Sequence, residues 1–157
     1  MNNKSHLTAI RRNKLSAPMK VINELENGIY GYPSLDYGCG RGEDAEILGM
    51  AKYDPFYFPN KNLLEYIGFY KIITCNFVLN VVDEAEGKII VGHIYNLLSN
   101  EGRAYITVRR DVKQDGFTKR GTFQRNVVLN LQSIHKNSGF EIYLLTKQSN
   151  FGKIFAI

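Results

Sequence analysis

The chain is 157 residues long, 44% apolar and 22% charged, the balance of an ordinary globular domain with room for one core. Its two cysteines exclude a disulfide framework, and no apolar run nears the ~20 residues of a membrane span. The net charge of +5 admits a polyanionic partner, with a plain solvated surface as the alternative.

Residues 1–15 are polar and basic and read as an arm; no apolar stretch follows its cations as in a secretory signal, so a reducing cytoplasm is expected. Ser16-Ala17-Pro18 predicts a helix start, with Pro18 in the first turn. Val21, Ile22 and Leu25 give that helix one apolar stripe, and Asn27-Gly28 ends it. A first strand is expected over Ser34–Tyr37, then a glycine-rich turn, a short acidic helix stopping near Gly49, and a second strand over 50–53. Residues 55–70 are punctuated by Pro55, Pro59, Asn60, Asn62 and Gly68 and read as irregular. A buried strand over 70–75 and a helix over 83–100 follow, the helix with an acidic start and Ile90, Ile94, Leu97 and Leu98 on one face. Residues 103–108 are rich in β-formers, and 111–121 read as a polar loop. Phe123, Val127, Leu131 and Ile134 at helical spacing predict a helix over 123–137. Residues 140–146 and 153–157 read as a closing strand pair.

Alternation of this kind argues for an α/β fold: a Rossmann-like, mostly parallel sheet with helices on both faces and a C-terminal antiparallel hairpin. With no repeat or linker, 1–157 reads as a single domain.

In such sheets ligands bind beyond the carboxyl ends of the strands. The first end carries Asp36-Tyr37-Gly38-Cys39-Gly40-Arg41-Gly42, a D-x-G-x-G-x-G pattern in which glycines allow a turn that brings backbone close to a ligand. The spacing differs from the G-x-G-x-x-G of dinucleotide binders. It resembles the S-adenosylmethionine (SAM) loop of Rossmann-like methyltransferases, whose ligand carries a sulfonium and an amino acid, so the acid Asp36 suits it. Asp54 follows the second strand, where an acid can accept ribose hydroxyls; an Asx-Pro turn is the other reading. Asn76 and Phe77 end the third strand and are candidates to face the ligand, Phe77 by packing on its ring or methyl group. Cys39 reads as a small filler, since no base adjoins it. His6, His93 and His135 are too scattered for a metal or a triad; His93 and His135 read as structural, and no metal site is expected. Asp54-Pro55-Phe56-Tyr57 has the look of the D-P-P-Y box of amino-directed DNA methyltransferases, but follows the wrong strand for it.

Four segments together resemble the small methyltransferase-like proteins associated with DNA phosphorothioation systems and their phage-borne relatives. They are residues 6–12 (H-L-T-A-I-R-R), 35–44 around the glycines, Asp54-Pro55-Phe56 with Val78-Leu79-Asn80-Val81-Val82, and Arg120-Gly121-Thr122-Phe123-Gln124. The resemblance implies a reduced class I methyltransferase fold with SAM as cofactor. Asp36, Gly38, Cys39, Gly40 and Gly42 would hold its amino-acid end, Asp54 its ribose, and Asn76 and Phe77 its remaining faces. Phosphate or substrate contacts are expected from His6, Thr8, Arg11 and Arg12 in the arm and from Arg109, Arg110 and Arg120 in the second basic group. No catalytic base is named. The expected activity is methyl transfer to a nucleic acid (DNA or RNA) or to a protein bound to it. The alternatives are a methyltransferase-like module that binds DNA or a host protein without turnover, and an enzyme that cleaves SAM.

Overall fold

In the computed structural model, which describes residues 4–155, a six-stranded sheet separates two layers of helix. The arm contributes one 3-10 turn, Ser5–Thr8. Helix α1 (Ala17–Leu25) starts after Ser16 with Pro18 in its first turn, and Asn27 and Gly28, both with positive φ, end it. Strand β1 (Ser34–Tyr37), helix α2 (Glu43–Leu48) and strand β2 (Ala51–Tyr53) follow. Strand β3 (Tyr70–Asn76) leads to helix α3 (Glu84–Leu97), whose N-cap Asp83 accepts a 2.8 Å hydrogen bond from the Glu86 N–H. Strand β4 (Leu98–Arg109) begins directly at the end of α3. Two-residue strands β5 (Gly116–Phe117) and β6 (Phe123–Gln124) pair as a separate small hairpin. Strands β7 (Gln132–Lys136) and β8 (Phe140–Leu145) complete the large sheet.

The order is β2-β1-β3-β4-β8-β7. The pairs β1–β2, β1–β3 and β3–β4 are parallel, while β8 is antiparallel to both β4 and β7. Residues alternate between the two faces, so each strand feeds two cores. Met19 and Ile22 of α1 and Ala45 and Leu48 of α2 pack with Ile72, Tyr105 and Ile142 on one side. Ile90, Val91, Ile94 and Leu97 of α3 pack with Ile73, Cys75, Ala104 and Ile106 on the other. Each such aliphatic side chain contributes ~1.5–3 kcal/mol by leaving water. Among the described residues no helix is long and apolar enough to cross a membrane.

The segment 123–137 corrects the expectation of a helix. Val127, Leu129 and Leu131 point inward while Val128, Asn130 and Gln132 point outward, an extended alternation that ends in β7. The helical spacing of Phe123, Val127, Leu131 and Ile134 competes with this period-2 pattern, and the β-branched pair Val127-Val128 favours the latter. The closing hairpin is therefore β7–β8, with 140–145 in the expected strand but a different partner. Phe151–Lys153 forms a 3-10 turn instead of starting a strand; Ala156 and Ile157 lie outside the described residues. The expected polar loop 111–121 contains one arm of the small hairpin.

Candidate functional site

A cavity of about 510 Å³ opens at the carboxyl ends of β1, β2 and β3. Its floor is the glycine loop. Gly38 and Gly40 have φ of +77° and +56°, the left-handed region. A Cβ on Gly38 would lie 2.3 Å from Cγ2 of Val78, and one on Gly40 would lie 3.1 Å from Cβ of Ala9. The Gly38 and Cys39 N–H groups donate to the Tyr53 carbonyl at 2.7 and 3.0 Å, tying the loop to the end of β2.

Three carboxylates surround this loop. Asp36 is 3% exposed and accepts one hydrogen bond, 2.9 Å from Thr74 Oγ1. Burial pushes its carboxyl up to about 7, against the Thr74 bond; Asp44 and Asp54 push the same way, and Arg12 opposes them. Asp44, also buried, accepts from the Ser16 N–H (2.8 Å), from Ser16 Oγ (2.7 Å) and from Arg12 (3.5 Å). It clasps the start of α1 to the loop. Asp54 accepts the Gly40 N–H at 3.0 Å with one oxygen and the Phe56 and Tyr57 N–H groups at 2.9 and 3.0 Å with the other. It is thus an Asx turn whose carboxylate also fastens the glycine loop. Cys39 sits among these acids; burial, then Asp36 and Asp54, push its thiol up, which fits a filler and not a nucleophile.

At the end of β3, Asn76 Oδ1 accepts from Thr107 Oγ1 at 2.7 Å, while its amide nitrogen is buried with no hydrogen-bond partner. Phe77 holds a positive φ of 61°, its N–H donating to the Thr107 carbonyl at 2.9 Å. Both line the cavity.

The arm forms the roof. His6 stacks on Phe56, with ring centroids 4.1 Å apart, and the Tyr57 hydroxyl donates to the His6 carbonyl at 3.4 Å. Arg41 lies over the Tyr57 ring. His6, Thr8 and Arg12 line the cavity, whereas Arg11 is exposed outside it. Gly42 lies behind the loop, where a Cβ would meet Lys52 and Phe58.

The second basic group divides. Arg110 is mostly buried and donates to Glu141, to the Tyr143 hydroxyl and to the Val127 carbonyl. Its donors are committed within the protein, and burial of Glu141 is outweighed by its hydrogen bonds, so that carboxyl stays low. Arg109 forms a bidentate pair with Asp111. Arg120 is exposed at the tip of the β5–β6 hairpin.

Several lining groups escaped the sequence reading. Tyr37 points to α3, where its hydroxyl meets His93 Nδ1 at 3.1 Å, and Glu86 lines the same wall. Glu86 and His93 are seven apart on α3, two turns along one face, a spacing that could have flagged them. Asp44 was hidden because its partners lie 28 and 32 positions away in sequence.

No family model matches the chain, and no curated protein matches it by sequence. Its fold does match solved structures, methyltransferases among them. The DhpI–SAH complex is 13% identical, with 82% of each chain covered and a TM-score of 0.53. The 1,6-didemethyltoxoflavin-N1-methyltransferase of Burkholderia thailandensis, solved with its substrate and S-adenosylhomocysteine, is 13% identical over 91% of this chain and 78% of that one, at 0.53. A TehB-like SAM-dependent methyltransferase of Corynebacterium glutamicum is 14% identical over 87% and 90%, at 0.51. The chain therefore has the Rossmann-like fold of class I methyltransferases.

Proposed function

We propose that the chain binds S-adenosyl-L-methionine in the glycine-loop cavity and transfers its methyl group to an acceptor, a nucleic acid or a protein bound to it. The observation that carries this reading is the buried Asp36 at the glycine loop, which has no ion-pair partner among the described residues while Arg12 pairs with Asp44. Asp36 has one hydrogen-bond donor and is held close to neutrality by burial and by its acidic neighbours. Such a site gains from a cation, and the ligand's ammonium and sulfonium are both cationic. The orphaned Asn76 amide nitrogen offers a donor beside it. Gly38 and Gly40 leave open the space that side chains would fill.

Bound there, the cofactor would supply a methyl group on a sulfonium that leaves as a neutral thioether. The residues of the chain position and enclose. Asp36, Gly38 and Gly40 hold the amino-acid end, and the arm over Phe56 excludes water. Asp54 keeps its backbone bonds and has remaining lone pairs for ribose hydroxyls. On the α3 wall, His93 and Glu86 are the groups able to receive a proton from the acceptor. The finer kinship with phosphorothioation-associated, phage-borne proteins rests on the sequence resemblance alone; of its segments, residues 6–12 roof the cavity.

Isothermal titration with SAM and S-adenosylhomocysteine is the test, followed by a radiolabelled-methyl screen over DNA, RNA and protein. Micromolar binding of both supports the reading; a folded protein that binds neither removes it. Binding without product would favour a module that recognises its partner without turnover.

A further inference from the structure

The positive charge of this chain is concentrated on two segments. Residues 109–125 hold six cations against Asp111 and Asp115, and residues 1–15 hold four cations and no acid, so the remainder is net negative. The arm roofs the cavity, and the 109–125 excursion is rooted on residues 80 and 82, beside or within its lining. Asn80, fully buried, clamps both roots of that excursion. Its Oδ1 accepts the Arg109 N–H at 2.9 Å, its Nδ2 donates to the Arg125 carbonyl at 2.7 Å, and its own carbonyl accepts the Arg125 N–H at 2.7 Å. Arg125 further donates to the Val82 carbonyl at 3.0 Å. Val78, Val81 and Val82, around Asn80, line the cavity. The hairpin is therefore fixed to the cavity wall.

What it presents is specific. The tip is the turn at 118–121, closed by hydrogen bonds from the Gly121 N–H to the Thr118 carbonyl (2.9 Å) and from the Thr118 N–H to the Thr122 carbonyl (2.8 Å), with Lys119 and Arg120 between. Arg109, Arg110 and Arg125 are engaged by the protein, whereas Lys113, Lys119 and Arg120 have no hydrogen bond or ion pair among the described residues. Beside them Phe117 is 78% exposed, its ring tilted against Phe123 at 5.3 Å. A two-residue strand has no core of its own in which to bury that ring.

We infer that the β5–β6 hairpin binds single-stranded nucleic acid, with Phe117 stacking on a base and Lys113, Lys119 and Arg120 on the phosphates beside it. The inference deepens the transferase reading above and rests on it for the reason a strand is brought there. Charge complementarity selects a polyanion, and an exposed aromatic ring among free cations selects one with accessible base faces. In a duplex those faces are stacked, and a target atom cannot enter a walled cavity without leaving the stack.

Fluorescence anisotropy would follow labelled single-stranded DNA, single-stranded RNA and the matching duplex from 50 to 250 mM salt. Cofactor titration would be run on every variant. Single strands are expected to bind at least tenfold tighter than duplex. Phe117→Ala should weaken them about 5- to 100-fold with the salt slope kept. Lys119→Ala/Arg120→Ala should flatten the log–log salt slope by about 1.4. SAM affinity should be unchanged in both, and the preferred strand tells RNA from DNA. Duplex preference overturns the inference, as does wild-type affinity in Phe117→Ala, which would leave only a general polyanion surface. Absent strand binding in a protein that binds SAM sinks the hairpin and spares the transferase; strand binding without SAM binding does the reverse.

Discussion

Two buried carboxylates on the α1–α2 face of the sheet are treated in opposite ways. Glu26, just past α1, receives a bidentate pair from Arg103 (2.7 and 2.7 Å) and a hydrogen bond from the Tyr105 hydroxyl. Burial would raise its carboxyl, but those two partners win and hold it below the ordinary range. Asp36 lies two residues further along the strands than the level of Arg103, given the pairings of Ser34 and Ile72, and it receives one neutral hydroxyl. A buried charge with its own cation belongs to the fold; a buried carboxylate without one invites a cation from outside.

The contrast breaks most visibly under substitution. Asp36→Asn keeps size and the Thr74 bond but removes the charge. SAM affinity should fall by about 100-fold or more, as a charge-assisted contact in a closed site is lost. The melting temperature of the free protein at pH 8 should not fall, since the substitution removes an ionised buried carboxylate. Unchanged affinity by titration calorimetry would remove Asp36 from the binding site. Glu26→Gln should do the converse. It strands Arg103, whose side chain is about a third exposed, and should cost about 2 kcal/mol in urea unfolding while SAM affinity stays put. A loss of affinity there would erase the distinction between the two regions.

The same contrast can be sharpened with pH. The Asp36 carboxyl sits at about 7 in the free protein, above the 3.8 of an unburied aspartate. Its protonated form is therefore favoured by folding, and its stabilising share is complete below about 4 and lost as pH rises through 7. A bound cation reverses this, since it prefers the ionised acid. SAM affinity should accordingly rise from pH 5.5 to 7, by at most ~tenfold per unit, and level off above. In Asp36→Asn that slope should vanish; a slope that persists would belong to another group.

How much of this was legible in the sequence follows from the range of each interaction. The glycine loop and the Asp83 cap are local, and both stand where the spacing puts them. The apolar positions of 123–137 fit two periods at once, and the choice was made by pairing with β8, which no local pattern records. Asp54 was read with two roles, and its three backbone N–H partners show the turn role; the ribose role is the one proposed beside it. Asn80 stands in one of the resemblance segments, yet nothing local marks its work, which is to join residues 29 and 45 positions away.

The smallest expected effect concerns the roof over Asp36. Among the contacts that hold the described part of the arm are the His6–Phe56 stack, the Tyr57 hydroxyl on the His6 carbonyl, and the Arg12–Asp44 pair. None of these three involves a buried apolar cluster; Leu15, at the end of the arm, packs against the α1–α2 core, so residues 5–12 can lift about that anchor without disturbing it. His6→Ala removes an aromatic stack of ~0.5–1.5 kcal/mol, which should raise the SAM dissociation rate about 2- to 13-fold in stopped-flow measurements. Thermal stability should be unaltered, because the ring supports the roof and not the sheet. His6→Phe should restore the slow rate, as a flat ring is all that the stack requires. Equal dissociation rates in all three proteins would mean that the arm rests on the site without closing it. Asp36 would then have to hold its cation in a cavity open to water, where a lone carboxylate binds weakly.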